Sequence, residues 1–261
     1  MILTETAYAK LNLALHVRRR RDDGYHDLET VFAFCEDGDV VTAEAAGETA
    51  LTIDGPFATG LSTTDNLILR AADAMGVTAR LHLTKNLPVA SGIGGGSADA
   101  AATLRLLARL TGKPLPSLDT QRALGADVPA CVRSQTMRGE GVGEALSAVA
   151  PVTGTSVLLI NPNIPLSTAA VFRAWDATDR GSLDDWLRGR NDLETPARTL
   201  VPQVATLVDW LARRHDVTLA RMSGSGATCF ALLSSEAARD IAVKEAGEAF
   251  PGHWIMGSTL R

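Results

Sequence analysis

The stretch LPVASGIGGGSADAAATLRLLARL, residues 87–110, sets Gly92, Gly94, Gly95 and Gly96 directly before an alanine- and leucine-rich run. Glycines ahead of a helix start leave backbone N–H groups facing open space at the positive end of the helix dipole. With no Cβ in the way, phosphate oxygens can approach them. Ser97 is a natural N-cap; Leu104, Leu107 and Ala108 fall at helical spacing, and Arg105 and Arg109 share another face. The chemistry this suits is the holding of a polyphosphate, and a flexible turn is the competing account of a glycine cluster. Three familiar loops do not fit. No Gly-Lys-Ser/Thr stands at Walker spacing, a dinucleotide fingerprint begun at Gly92 would need glycine at Ser97, and a nucleophile elbow would need glycine at Asp99.

Other residues could act beside such a loop. In TAYAKLNLALHV, residues 6–17, alternation puts Ala7, Ala9, Leu11, Leu13, Leu15 and Val17 on one face and Tyr8, Lys10, Asn12 and His16 on the other. An ammonium and a carboxamide two positions apart can project together into a cleft; a solvent-facing edge strand would show the same pattern. In DGYHDLETVF, residues 23–32, Gly24 suits a turn, while Tyr25 and His26 can hold a heterocycle by stacking and edge contacts. LGADVPA, residues 124–130, presents Asp127 before a Val-Pro pair expected to stop a helix.

The composition bounds what these residues can serve. With 261 residues, 46% of them hydrophobic, the chain can bury a core and fill one large domain or two ordinary ones. A formal charge of -5 argues against a general nucleic-acid or membrane-surface binder, so an anion has to be held locally. MILTETAYAK has Glu5 and no basic region before an apolar core, and does not read as a signal peptide. The uncharged run between Ala145 and Phe172 is broken by Pro151, Asn161, Pro162, Asn163 and Pro165, and is not expected to span a membrane. Cys35, Cys131 and Cys229 are odd in number and far apart, which suggests neither disulfides nor zinc and fits a reducing cytoplasm. RRRRDD, residues 18–23, suits a hairpin or exposed loop.

Strand-like alternation covers 6–17, 28–34, 39–44 and 80–85, and helices are expected at 66–76, 97–110 and 117–124. After Pro151 the pattern becomes a buried strand at 156–161, helices at 168–176 and 200–214, a strand pair at 217–233, a helix at 235–248 and a strand at 253–259. The order is that of an α+β chain with a boundary near 151, giving domains 1–151 and 152–261.

Taken together, AKLNLALHV, RDDGYHDLETVF, PVASGIGGGSADAAATL, LGADVPA and MSGSGATCFAL resemble the motif series of the GHMP small-molecule kinases, from residue 6 to about residue 233. The DGYH segment is most like the members that act on a cytidine-diphosphate-linked polyol. The resemblance implies a two-domain α+β GHMP kinase fold, with a ribosomal-protein-S5-like N-terminal domain and a ferredoxin-like C-terminal domain. It implies ATP and Mg2+, with ATP held by Pro88, Ala90, Ser91, Gly92, Ile93, Gly94, Gly95, Gly96, Ser97 and Ala98. Asp127 would be the base facing the substrate hydroxyl, with Lys10 beside it stabilising charge on the moving phosphoryl group. Asn12 and His26 would reach the substrate, His26 reading the cytosine edge, Tyr25 and Phe172 closing the base from either side, and Thr168 lining the same pocket.

Gly224 and Gly226 would pack a second glycine turn close to the phosphates, although structural tightness accounts for them equally. No acidic residue is assigned to the metal; Asp99 reads as an early helix carboxylate partnering the dipole. The chain departs from the family where DVPACVRSQ has Ala130 and Cys131 in place of bulky aromatics and Ser134 in place of glycine. The implied activity is ATP-dependent phosphorylation of the 2-hydroxyl of a cytidine-diphosphate-linked methylerythritol, in the non-mevalonate route to isopentenyl diphosphate. The implied partner is that small molecule, with no nucleic acid, no membrane and the oligomeric state open. Two alternatives stand beside it: a GHMP kinase for mevalonate or homoserine, against which DGYH and Phe172 argue, and a nucleotide-binding module without turnover, against which Lys10 and Asp127 argue.

Overall fold

The computed structural model describes residues 1–261. Its first strand, β1 (Leu3–Arg20), buries the apolar set from Ala7 to Val17. Lys10, Asn12 and His16 on the other face are buried as well, so the solvent-facing alternative falls. β2 (His26–Ala45) pairs with β1 and runs unbroken where the alternation suggests two strands. Its polar stretch Glu36-Asp37-Gly38 stays extended, and a Cβ on Gly38 would lie 1.9 Å from the Ala7 carbonyl oxygen. Only glycine passes there. The arginine-rich segment ends β1 at a turn closed by the Arg21 N–H on the Tyr25 carbonyl at 2.8 Å, with Arg19 and Arg21 both pairing with Asp27.

The residues pack into two units. The first holds Met1–Lys10, Asp37–Val89 and Gly94–Ser134; the second holds Leu11–Glu36, Ala90–Ile93 and Gln135–Arg261. β1 and β2 contribute to both, and the sequence boundary at 151 falls inside the second.

In the first unit, β3 (Ala50–Asp54) leads through α1 (Leu67–Ala74) to β4 (Ala79–Thr84), which runs parallel to β3 and antiparallel to the second half of β2. Asn66 caps α1 by accepting the Ile68 N–H. α2 (Gly95–Thr111) starts two residues before the expected 97, because the N-cap is Gly94 at φ 65°; Ser97 lies inside the first turn instead of capping it. Its buried alanines and leucines, Ala100 to Ala102, Leu104, Leu106 and Leu107, make the core, and Arg105 and Arg109 both reach Glu5. α3 (Leu118–Leu124) is capped by Ser117 and ends at Gly125. α4 (Val128–Arg133) corrects a second expectation. The Val-Pro pair opens a helix, since a proline in the first turn gives up an N–H that has no intrahelical partner anyway.

In the second unit, β5 (Met137–Gly141) pairs antiparallel with the first half of β2 and with β6 (Ala145–Ala148). There follow β7 (Ser156–Asn161), α5 (Thr168–Ala174), α6 (Glu194–Leu200), α7 (Gln203–Ala212), β8 (Val217–Met222), β9 (Cys229–Leu233), α8 (Glu236–Ala249) and β10 (Trp254–Thr259). The last four strands form an antiparallel sheet in the order β10-β7-β9-β8. α7 packs on β8 and β9 and α8 on β7 and β10, the split β-α-β-β-α-β arrangement of ferredoxin-like folds. β7 is buried along its whole length, as the uninterrupted apolar run requires. α6 lies outside the expected helices; Pro196 sits in its first turn, where proline is tolerated. Cys35, Cys131 and Cys229 are free and buried, and no helix is long and apolar enough to cross a membrane.

Candidate active site

Within the first unit, the glycine loop meets a buried lysine. Gly94 turns the chain through its left-handed φ into α2, aiming the helix N-terminus at the loop. A Cβ on Gly94 would lie 2.9 Å from Lys10 Cε and 3.8 Å from Asp127 Oδ2, so glycine lets the Lys10 stem lie against the backbone. Lys10 Nζ is 3.1 Å from Asp127 Oδ2. β1 supplies the ammonium and the N-cap of α4 supplies the carboxylate, both beside the N–H groups of the Gly94 turn. Backbone donors and a cation suit a polyphosphate, and the carboxylate suits proton acceptance from a hydroxyl. Cys131, behind Asp127, is not a competing nucleophile, because burial and the Asp127 charge push its thiol far up.

Within the second unit, residues 90–93 pack on a second glycine turn. The Ser223 hydroxyl donates to the Gly92 carbonyl at 3.0 Å, and the Thr228 N–H donates to the Ser91 carbonyl at 3.1 Å. A Cβ on Gly224 would come within 2.8 Å of the Gly92 oxygen, so Gly224 is needed for this close approach. Asn12 sits against the same turn, its N–H on the Ser223 hydroxyl at 3.1 Å and its Nδ2 on the Thr30 hydroxyl at 2.8 Å.

The same unit gathers aromatic rings. His26, the first residue of β2, lies 4.7 Å from the Phe172 ring at a 30° tilt and 5.7 Å from Trp175, edge-on at 80°. Burial, aided by the nearby Arg20 charge, holds the His26 pKa below its usual value, which favours a neutral ring with one donor and one acceptor. Tyr25, 62% exposed, stands on the adjoining turn with its ring open to solvent. Thr168, at the start of α5, places its hydroxyl 2.8 Å from that of Ser225.

Two family models match the chain, GHMP kinases N terminal domain at residues 66–135 and GHMP kinases C terminal at residues 171–252. The chain is 53% identical over 278 residues to a protein of Rhizorhabdus wittichii named 4-diphosphocytidyl-2-C-methyl-D-erythritol kinase, covering 99% of this chain and 94% of that one. The chain belongs to the 4-diphosphocytidyl-2-C-methyl-D-erythritol kinase family. A crystal structure of a 4-(cytidine 5'-diphospho)-2C-methyl-D-erythritol kinase matches this kinase with a TM-score of 0.82 at 32% identity, covering 99% of both chains. A homoserine kinase from Cytophaga hutchinsonii shares the fold, with a TM-score of 0.73 at 15% identity over 99% of this chain and 95% of that one. The fold alone therefore does not select the acceptor.

The sequence reading of this kinase passed over several residues beside those it named. Trp175 follows Phe172 by three positions, which on a helix is the same face, and that spacing could have shown it. Thr30 and Ser223 hold Asn12, but their partners come from distant segments and nothing local marks them. Lys85 and Asp39 were missed for the same reason. Asp99 is not a first-turn dipole partner: it lies one turn inside α2, buried, with Oδ2 2.6 Å from Lys85 Nζ. Burial pushes its carboxyl up to about 7, with Lys85 opposing and the Asp39 charge adding to the rise.

Proposed function

We propose that this kinase transfers the γ-phosphoryl group of ATP to the 2-hydroxyl of 4-diphosphocytidyl-2-C-methyl-D-erythritol, giving the 2-phosphate and ADP in the methylerythritol phosphate route to isopentenyl diphosphate. The observation that carries the choice of acceptor is the His26 ring 4.7 Å from Phe172. Mevalonate and homoserine have no base for such a pair to hold. A neutral His26 can both donate to and accept from the cytosine edge. Phe172 supplies one stacking face, Tyr25 the other, while Asn12 and Thr168 take polar groups of the substrate.

At the phosphoryl end, the loop from Pro88 to Ala98 holds the ATP phosphates through backbone N–H groups and the start of α2. Asp127 orients the 2-hydroxyl and takes its proton as the new O–P bond forms and the bond to the β-phosphate oxygen breaks. Lys10, fixed against Gly94, offsets negative charge on the phosphoryl group in transit. Magnesium in such sites keeps several waters and is usually held by substrate phosphates and one or two carboxylates. No cluster of acidic or imidazole side chains here could hold the ion by itself, so it would enter with the nucleotide and neutralise phosphate charge. Three free, buried cysteines suit a reducing cytoplasm.

The test is ADP release with Mg-ATP and, separately, 4-diphosphocytidyl-2-C-methyl-D-erythritol, mevalonate, homoserine or galactose. Turnover with the cytidylyl acceptor alone supports the reading. Turnover only with another acceptor keeps the kinase and discards the substrate, and silence with all four leaves a nucleotide-binding module.

A further inference from the structure

Below the glycine loop, within the first unit, three charged side chains are buried together. Lys85 Nζ lies 2.6 Å from Asp39 Oδ2 and 2.6 Å from Asp99 Oδ2, and all three residues are less than 5% exposed. Taking such groups out of water costs several kcal/mol per ion, and replacing a buried ion pair by apolar atoms of similar volume is often neutral or stabilising. Asp99 Oδ1 has no partner at all, a further cost. Stability is thus a poor account of the cluster, and its connections suggest a better one.

Asp39, on β2, accepts the N–H groups of Asn86 at 2.6 Å and Leu87 at 2.8 Å through Oδ1, and the Asn86 side chain donates to the Gly38 carbonyl at 3.1 Å. These bonds fix the chain as it leaves β4, just before the glycine loop. Lys85 then reaches to Asp99 on α2, just after it. Both ends of the loop are tied to one point. Gly95 rests directly on that point, since a Cβ there would be 3.1 Å from Lys85 Nζ and 3.7 Å from Asp39 Oδ2.

We propose that Lys85, Asp39 and Asp99 are positioning residues for the phosphate-binding loop, holding its two ends at the separation that presents the Gly94–Gly96 backbone to a nucleotide's phosphates. The proposal rests on the reading of that loop as the ATP site. None of the three touches the reacting atoms; they act through the backbone they pin.

The experiment compares wild type, Asp99→Asn and the double variant Lys85→Met with Asp99→Leu, which removes the ion pair and refills its volume. Read out are Tm, hydrogen exchange of amides 94–98 without nucleotide, kcat, and KM for ATP and for 4-diphosphocytidyl-2-C-methyl-D-erythritol. The double variant leaves the buried Asp39 carboxylate without its ammonium, so a lower Tm is expected, with faster exchange in the loop and a KM for ATP raised between about 10- and 10²-fold, the scale that a displacement of roughly 1 Å costs. The KM for the cytidylyl substrate should hold. Asp99→Asn, which keeps an oxygen for Lys85, should recover most of the ATP affinity. Unchanged loop exchange in a folded double variant overturns the positioning role, as does a double variant that unfolds together with an Asp99→Asn that loses Tm and both affinities alike. A loosened loop with an unchanged KM for ATP leaves the pinning intact and removes the loop from the ATP site.

Discussion

Lys10 and Asp127 meet as an ion pair whose two members differ in access: the lysine side chain is 5% exposed and the aspartate 32%. The ammonium is locked against Gly94 while the carboxylate still faces outward, which is the division of labour that a fixed charge and a proton acceptor require. Asp127→Asn keeps the shape and removes the basicity. Its kcat is expected to fall by about 10²- to 10⁴-fold, the usual contribution of a positioned base, with the KM for ATP nearly unchanged. Steady-state assay of ADP release checks this, and a variant that keeps its turnover removes Asp127 from the proton transfer.

Phe172 offers a face rather than a charge, so its loss should show in binding. Phe172→Ala is expected to raise the KM for the cytidylyl substrate by about 2- to 12-fold, corresponding to the roughly 0.5–1.5 kcal/mol of an aromatic pair beyond its buried area. The KM for ATP should not move. A variant whose two KM values rise together would place Phe172 in the folding of α5 and not against the base.

The contrast between these residues and Lys85 shows what a sequence discloses. Period-2 and helical spacing located most strands and helices, since those patterns report local burial; β7 came out of its apolar run, and β8 and β9 as a strand pair around the SGSGAT turn. Lys10, Asp127 and His26 stand out as candidates because each lies in a short motif whose residue types suggest a chemistry, whereas Phe172 enters only through the family resemblance. Lys85, Asp39 and Thr30 stand in no motif. Their meaning lies in partners that only the folded backbone brings within 3 Å. The merged β2 and the early start of α2 escaped for a related reason: the fit of Gly38 against Ala7 and the left-handed φ with which Gly94 caps the helix exist only in the folded backbone.

Gly92 carries a purely steric expectation. A Cβ there would lie 2.4 Å from the Ser223 carbonyl oxygen and 2.7 Å from the Gly226 nitrogen, both backbone, and the residue sits at φ 78°. Gly92→Ala thus combines a left-handed strain of about 1–2 kcal/mol with an overlap no rotamer can relieve. Thermal unfolding should show a Tm loss of several degrees, of the order expected for about 2 kcal/mol or more. A Tm equal to wild type would mean that the two segments part easily and that their packing is not tight.

If His26 reads the cytosine edge as proposed, acid is a probe of the substrate end. Its pKa in the fold is lowered from 6.5, first by burial and then by Arg20, so the folded chain holds fewer protons at this ring than the unfolded chain does. Stability from this group is therefore full above about pH 6.5 and declines as pH falls from there through the lowered folded value. His26→Gln removes the titration. The Tm advantage of wild type over the variant should shrink between pH 7 and pH 5, and the KM for the cytidylyl substrate should rise over the same span in wild type only, because a protonated ring has no acceptor left for the cytosine amine. A Tm difference that stays constant with pH would mean the ring is as free to take a proton in the fold as out of it; a KM profile shared by both proteins would move base recognition away from His26.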